Sequence, residues 1–234
     1  MKIILNGGGS GESVKDSYKL FSQLVGNKKV LYIPLAWYRG NMENCIDWFK
    51  GEMKEFGITD IVQVLNPNEI TQELLMEVGG VFIGGGNTYQ LLKLLKESPA
   101  YNNLKNYIEN DGVVMGVSAG ALIMGKSIDS CLKDELEIKS CNDENLVGLI
   151  DTDGFGYLGE YSVLPHYKKY EEQFENIEKR IEKLLSKDFK LICVPEETSL
   201  YITDSYIQVI GKKSVEIVNN KESLQKHSNE KFEI

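Results

Sequence analysis

The residues with the clearest capacity for chemistry lie in Val113-Val114-Met115-Gly116-Val117-Ser118-Ala119-Gly120-Ala121-Leu122, an apolar run that enters a helix through Gly-x-Ser-x-Gly. Such a turn lifts a serine hydroxyl above the end of a sheet, and glycine two positions before and after it lets strand and helix approach without a Cβ clash. A hydroxyl held there can attack an amide or ester carbonyl once a neighbouring base takes its proton. The tetrahedral intermediate then needs hydrogen-bond donors fixed before its charge develops. The N–H of Ala119 is one candidate. The backbone of a second glycine turn, Gly84-Gly85-Gly86-Asn87-Thr88, which follows the apolar run Val81-Phe82-Ile83, is the other. A plain turn with a serine cap competes with this reading, but the strand before and the apolar helix after Ser118 are the context a nucleophile requires. A third glycine run, Gly7-Gly8-Gly9-Ser10-Gly11, lacks both the dinucleotide fingerprint and the phosphate-loop lysine, and reads as a loop at the cleft edge.

The base is narrowed by scarcity, because the chain has only two histidines. His227 lies in the hydrophilic Lys226-His227-Ser228-Asn229, whereas His166 follows Ser162-Val163-Leu164-Pro165 and so falls at a strand end, as Ser118 does. Histidine titrates near neutrality and can activate a serine, so His166 is the expected general base. An acid must orient it by accepting from Nδ1–H. Glu196, in Val194-Pro195-Glu196-Glu197, is favoured because it too follows an apolar strand, with Asp134, Glu135 and Glu137 in the segment after the elbow as alternatives.

These side chains need a scaffold, and the sequence outlines one. Apolar runs at Ile3 to Leu5, Val30 to Pro34, Ile61 to Leu65, Val81 to Ile83 and Val113 to Val117 alternate with helical spacing at Val14 to Val25, Met42 to Phe56, Glu69 to Val78, Asn87 to Lys96 and Tyr101 to Asn110. Strands apolar on both faces, separated by helices, imply a mostly parallel sheet covered on both sides, a three-layer α/β/α fold. Residues 127 to 160 are polar and without period; they form an excursion beside the sheet and the candidate lid over Ser118. A strand at Tyr161 to Leu164 leads to a helix at Glu171 to Lys187. Strands at Leu191 to Val194, Leu200 to Thr203, Tyr206 to Ile210 and Ser214 to Val218 then read as antiparallel, with hairpin turns at Asp204-Ser205 and Gly211-Lys212-Lys213. Residues 1–218 are expected to form one domain, and 219–234 a solvated polar tail.

With 42% hydrophobic and 26% charged residues, the chain has the balance of an ordinary globular protein. Its net charge of -9 opposes nucleic acid and anionic membrane partners, which reward clustered Lys and Arg. The short apolar run at the start is no signal peptide or membrane span, so a cytoplasmic location is expected. Cysteines at 45, 131, 141 and 193 make neither CxxC nor zinc-finger spacing; free, mostly buried thiols are expected, with only Cys131 and Cys141 in a polar setting. The chemistry calls for no cofactor and no metal.

Taken in order, Ile83-Gly84-Gly85-Gly86-Asn87-Thr88-Tyr89-Gln90-Leu91-Leu92, Gly116-Val117-Ser118-Ala119-Gly120-Ala121, Leu164-Pro165-His166-Tyr167 and Pro195-Glu196 make the chain resemble the peptidase E family of serine peptidases, from about residue 1 to 218. That family includes aspartyl dipeptidase and cyanophycinase. The resemblance implies a fold similar to class I glutamine amidotransferases (flavodoxin-like), a Ser–His–acid site without metal, and an oxyanion hole from Gly85 and Ala119. Asn87 and Tyr167, within the same motifs, are the expected substrate-binding side chains. Aspartyl dipeptidase binds its substrate's carboxylate through an arginine after the catalytic histidine; Ile177 stands at that place here, which puts strict Asp-X specificity in doubt and leaves Lys168, Lys169 or Arg180 to supply a different anion contact. The expected activity is an exopeptidase acting on short peptides, aspartyl or isoaspartyl ones among them, the alternative being a catalytically silent binding or regulatory relative. The expected partner is the peptide substrate, with a second copy of the chain left open.

Overall fold

The computed structural model describes residues 1–38, 40–136 and 138–233. The apolar runs form β1 (Lys2–Asn6), β2 (Val30–Ile33), β3 (Ile61–Gln63), β4 (Gly80–Ile83) and β5 (Val113–Val117). Between them lie α1 (Lys15–Val25), α2 (Cys45–Met53), α3 (Gln72–Glu77), α4 (Thr88–Lys96) and α5 (Ala100–Glu109). The short α6 (Ala119–Leu122) follows β5, and α7 (Phe174–Leu185) lies between β6 (Tyr161–Pro165) and β7 (Lys190–Val194). The chain continues through β8 (Thr198–Ile202), β9 (Ile207–Gly211), β10 (Val215–Val218), β11 (Ser223–Lys226) and β12 (Lys231–Phe232).

Two sheets result. The larger has the order β12-β9-β8-β1-β5-β4-β2-β3, in which β1, β5, β4, β2 and β3 are parallel and β8, β9 and β12 antiparallel. Side-chain alternation sends Ile3, Leu5, Leu31, Ile33, Val81 and Ile83 to one face, where residues of α3 to α6 cover them. Ile4, Val30, Tyr32, Phe82 and Met115 go to the other face, under α1 and α2. The second sheet, β11-β10-β7-β6, pairs β6 with β7 in parallel. Val163, Ile192 and Val194 join it to the core of the larger sheet, while Leu164, Leu191 and Cys193 pack under Ile177, Ile181 and Leu184 of α7.

Three expectations change. The turn at Gly211-Lys212-Lys213 does not close a hairpin: β9 stays beside β8, whereas β10 pairs with β7 and β11 in the other sheet. Part of the presumed tail is ordered, because Phe232 buries its ring against the main core and brings β12 alongside β9. Cys131 and Cys141, expected as free thiols, are joined in a disulfide, since the polar excursion folds back and brings their Cα atoms to 4.7 Å. Cys45 and Cys193 are free, and it is Cys45 that is partly exposed. Among the described residues no helix is long and apolar enough to cross a membrane.

Candidate active site

Parallel strands β1, β5 and β4 lie side by side, so the three glycine runs that follow them meet at one carboxyl edge of the sheet, where open α/β sheets hold ligands. At the middle one Ser118 adopts φ 53 and ψ -107, a conformation that costs a non-glycine residue of order 1–3 kcal/mol and persists only where the surroundings impose it. The flanking glycines are those surroundings. A Cβ at Gly116 would run into the Gly120 carbonyl, and one at Gly120 into the carbonyl of Ile83. Ala119 is the buried first residue of α6, and a Cβ at Gly85 would lie 3.2 Å from that of Ser118. The two backbone positions expected to supply donors therefore both adjoin Ser118.

The base and the acid arrive from the second sheet. Because Pro165 pairs with Val194, the turns that follow β6 and β7 start level with each other and set His166 beside Glu196. Ser118 Oγ lies 2.9 Å from His166 Nε2, and His166 Nδ1 lies 2.6 Å from Glu196 Oε1. A carboxylate can only accept, so Nδ1–H donates to it, which leaves Nε2 facing the serine hydroxyl. Burial pushes the Glu196 carboxyl upward, but hydrogen bonds from His166 and Lys169, with their charges, outweigh that and hold it down, from 4.5 to about 2. Lys169 Nζ is 2.7 Å from the same Oε1.

The first glycine run ties the pieces together. Ser118 N–H donates to the Asn6 carbonyl at 3.1 Å, His166 N–H to the Gly7 carbonyl at 2.8 Å, and Gly7 N–H to the Thr198 carbonyl at 3.2 Å. The fully buried Asn6 side chain accepts from Gly8 N–H and donates to Ser199 Oγ. Gly8 has φ 115 and faces the His166 ring so closely that any Cβ would collide with it. The run is thus at the cleft edge, as its composition suggested, and it seats the histidine.

The other candidates lie elsewhere. Asp134 is held by Arg180 at 2.6 Å and Lys183 at 3.2 Å, and Glu135 by Lys183 at 2.8 Å. Burial raises the Asp134 carboxyl, but the Arg180 hydrogen bond and charge, with Lys183, bring it below the usual range. Glu137 lies outside the described residues. Asn87 is not a cleft residue: its side chain caps α4 by accepting from Gln90 N–H and donates to the Glu144 carbonyl. Tyr167 turns away as well, its hydroxyl 2.7 Å from Glu216. Lys168 pairs with Glu216, Lys169 with Glu196 and Arg180 with Asp134, and Ile177 is a buried residue of α7, so none of the proposed anion contacts faces Ser118 unpaired. His227 bonds Ser214 between β11 and β12.

Ser118 opens into a cavity of about 630 Å³, bordered by Gly8, Gly9, Gly85 and His166 on one side. The segment from 127 to 160 is not its lid. Asp143 and Glu144 fasten that segment to Thr88 and Asn87, and Val147 and Asp151 accept from Lys93 and Lys96 along α4. The opposite wall comes from the loop after β2, with Trp37 and Asn41, and from α2, with Cys45 and Trp48. Sequence reasoning passed over this wall; the signal available was that both tryptophans of the chain fall in that one stretch. No group of three or more His, Cys, Asp or Glu that could hold a metal occurs among the described residues.

A serine at a strained strand-to-helix turn, hydrogen-bonded to a histidine that is hydrogen-bonded to a carboxylate, on an α/β fold, is the arrangement of a hydrolytic enzyme. The model of Peptidase family S51 matches residues 3–210, and the chain belongs to that family of peptidases. It is 26% identical over 206 residues to Peptidase E of Nostoc sp., covering 86% of this chain and 79% of that one. To Peptidase E of Shewanella denitrificans it is 24% identical over 205 residues, covering 83% and 80%. The crystal structure of a peptidase from an acI-B1 Actinobacterium superposes with a TM-score of 0.72 over 100% of this chain and 96% of that chain at 22% identity, a likeness of fold.

Proposed function

We propose that the chain is a serine peptidase that cleaves short peptides as an exopeptidase, with Ser118 as nucleophile, His166 as general base and Glu196 as the acid that orients it. The observation that carries this reading is the unbroken hydrogen-bonded line from Ser118 Oγ through His166 to Glu196, opening on a cavity. In the first step the Ser118 oxygen bonds to the carbonyl carbon while its proton passes to Nε2. The carbonyl electron pair moves onto oxygen, facing the N–H groups of Gly85 and Ala119. As the carbonyl reforms, the C–N bond breaks and the nitrogen leaves with the proton from Nε2, leaving an acyl-serine. Water then repeats the sequence, giving its proton to Nε2 and releasing the acid and the serine. The low pKa of Glu196 supports its part, since it keeps the carboxylate an acceptor for Nδ1–H at neutral pH.

The test is hydrolysis of a dipeptide panel by the wild type and by Ser118→Ala, His166→Ala and Glu196→Gln, with fluorophosphonate labelling located by mass spectrometry. Cleavage that depends on Ser118 and His166, with the label on Ser118, is the expected result. Cleavage that persists in Ser118→Ala refutes the reading.

A further inference from the structure

The wall opposite the glycine turns is aromatic. Trp37 and Trp48 are the only tryptophans in the chain, both line the Ser118 cavity, and they remain 38% and 45% exposed although the core has room for large rings such as Tyr18, Phe21 and Phe82 at 1% exposure or less. Below them Tyr32 forms a rigid floor, stacked on the buried Phe49 with ring centroids 4.2 Å apart and planes at 15°. The walls are fixed as well: Trp48 belongs to α2, and Trp37 donates its N–H to the Pro34 carbonyl while its own carbonyl accepts from Gln90. Indole faces left bare on a rigid frame gain most when apolar surface of a ligand covers them.

Among the described residues that border the cavity there is no Asp, Glu, Lys or Arg; the polar side chains are those of Tyr32, Asn41, Asn44 and Cys45, besides Ser118 and His166 themselves. A charged substrate side chain placed among those described residues would lose its water without gaining an ionic partner from them. A cation could be attracted to the ring faces, but none of the described residues that border the cavity is a carboxylate.

We propose that this cavity selects peptides with a bulky apolar, above all aromatic, side chain next to the scissile bond, and that Trp37 and Trp48 are the residues that select it. The proposal rests on the reading of Ser118 as nucleophile and names the substrate class of that same site. An acidic side chain is the disfavoured one.

Three measurements test it. Dipeptides Phe-Xaa, Leu-Xaa, Ala-Xaa, Asp-Xaa and Lys-Xaa, with the reversed sequences, are compared by kcat/KM. Phe peptides are expected to exceed Ala and Asp peptides about tenfold or more. Trp37→Ala and Trp48→Ala should each lower the Phe-to-Ala ratio about tenfold, with Trp37→Phe and Trp48→Phe recovering most of it. In Ser118→Ala protein, titration with Phe-Ala is expected to change tryptophan fluorescence at lower concentration than Asp-Ala. Asp or Lys peptides cleaved best, a ratio unchanged in both alanine variants, or variants that alter only the assembly state in sedimentation would each overturn the proposal. Fluorophosphonate labelling separates the two levels of failure. Ser118 labelled without an aromatic preference overturns the selectivity and leaves the nucleophile standing; Ser118 unlabelled with no peptide cleaved overturns both.

Discussion

Two acidic segments of this molecule look interchangeable in sequence and are put to different uses. The excursion at 127–160 carries Asp134 and the turn after β7 carries Glu196; each carboxylate is largely buried, each accepts from two basic side chains, and each is held below its ordinary pKa. The difference is the partner. Asp134 meets Arg180, which is always charged and 2% exposed, so the pair is a fixed clamp between the excursion and α7. Glu196 meets His166, whose charge can change. A buried acid is structural or chemical according to whether the group it faces can give up a proton.

Substitutions can break or sharpen this contrast. The largest effect is expected at the top of the line: Ser118→Ala and His166→Ala should each lower kcat on the order of 10⁴-fold or more, and the double variant should be no slower than either, since the groups act as a unit. Single-turnover kinetics on the three proteins checks this. Glu196→Gln should lower kcat by about 10²- to 10⁴-fold, a loss of activity that far outweighs its loss of stability. Asp134→Asn should do the reverse, leaving kcat/KM of the folded protein within about twofold while costing about 3–5 kcal/mol, because it strands the Arg180 charge. If Asp134→Asn abolishes turnover in protein that is still folded by circular dichroism, the contrast drawn here is wrong.

Acid titration gives a finer test. Glu196 has its carboxyl lowered from 4.5 to about 2 on folding, so its contribution to stability is complete above pH 4.5, declines as pH falls, and is gone below about pH 2. Urea denaturation across that window should show the gap between wild type and Glu196→Gln closing as pH drops, whereas Asp134→Asn should retain the Glu196 component. The smallest effect is expected for Lys169→Met. Loss of the ammonium beside Glu196 should change kcat only a few-fold, and should move the acid limb of kcat/KM to higher pH, because a carboxylate without its second cation favours a protonated neighbour more strongly.

Ser118, His166 and Glu196 were legible in the sequence because each directly follows a short apolar strand, so local pattern alone put all three at strand ends. The β/α alternation of residues 1–122 was legible for a similar reason, since parallel strands buried on both faces announce themselves as unbroken apolar runs. What escaped was set by long-range packing. Gly211-Lys212-Lys213 marks a turn but carries no sign of which sheet the next strand joins. Cys131 and Cys141 meet only because a periodless segment folds back on itself. Asn87 and Tyr167 lie inside recognisable motifs, yet their side chains point to Glu144 and Glu216, which neighbouring sequence does not reveal. Trp37 and Trp48 read as ordinary apolar residues until a loop and a helix place them across the cleft from Ser118.

The hub at Asn6 and Gly7 also has a consequence for how the enzyme comes into being on the ribosome. It joins the elbow, the histidine and the turn around Thr198, so the active constellation draws on nearly both ends of the polypeptide. The nucleophile and its first glycine turns are translated early, but His166 follows 48 positions after Ser118 and Glu196 another 30 after that. On the proposed mechanism a peptidase organised this way is inert while nascent: Ser118 has no histidine beside it until His166 has emerged and folded. Ribosome-bound chains arrested before Glu196 should therefore take up no more fluorophosphonate than Ser118→Ala does, and labelling should rise once β7 and β8 have left the exit tunnel.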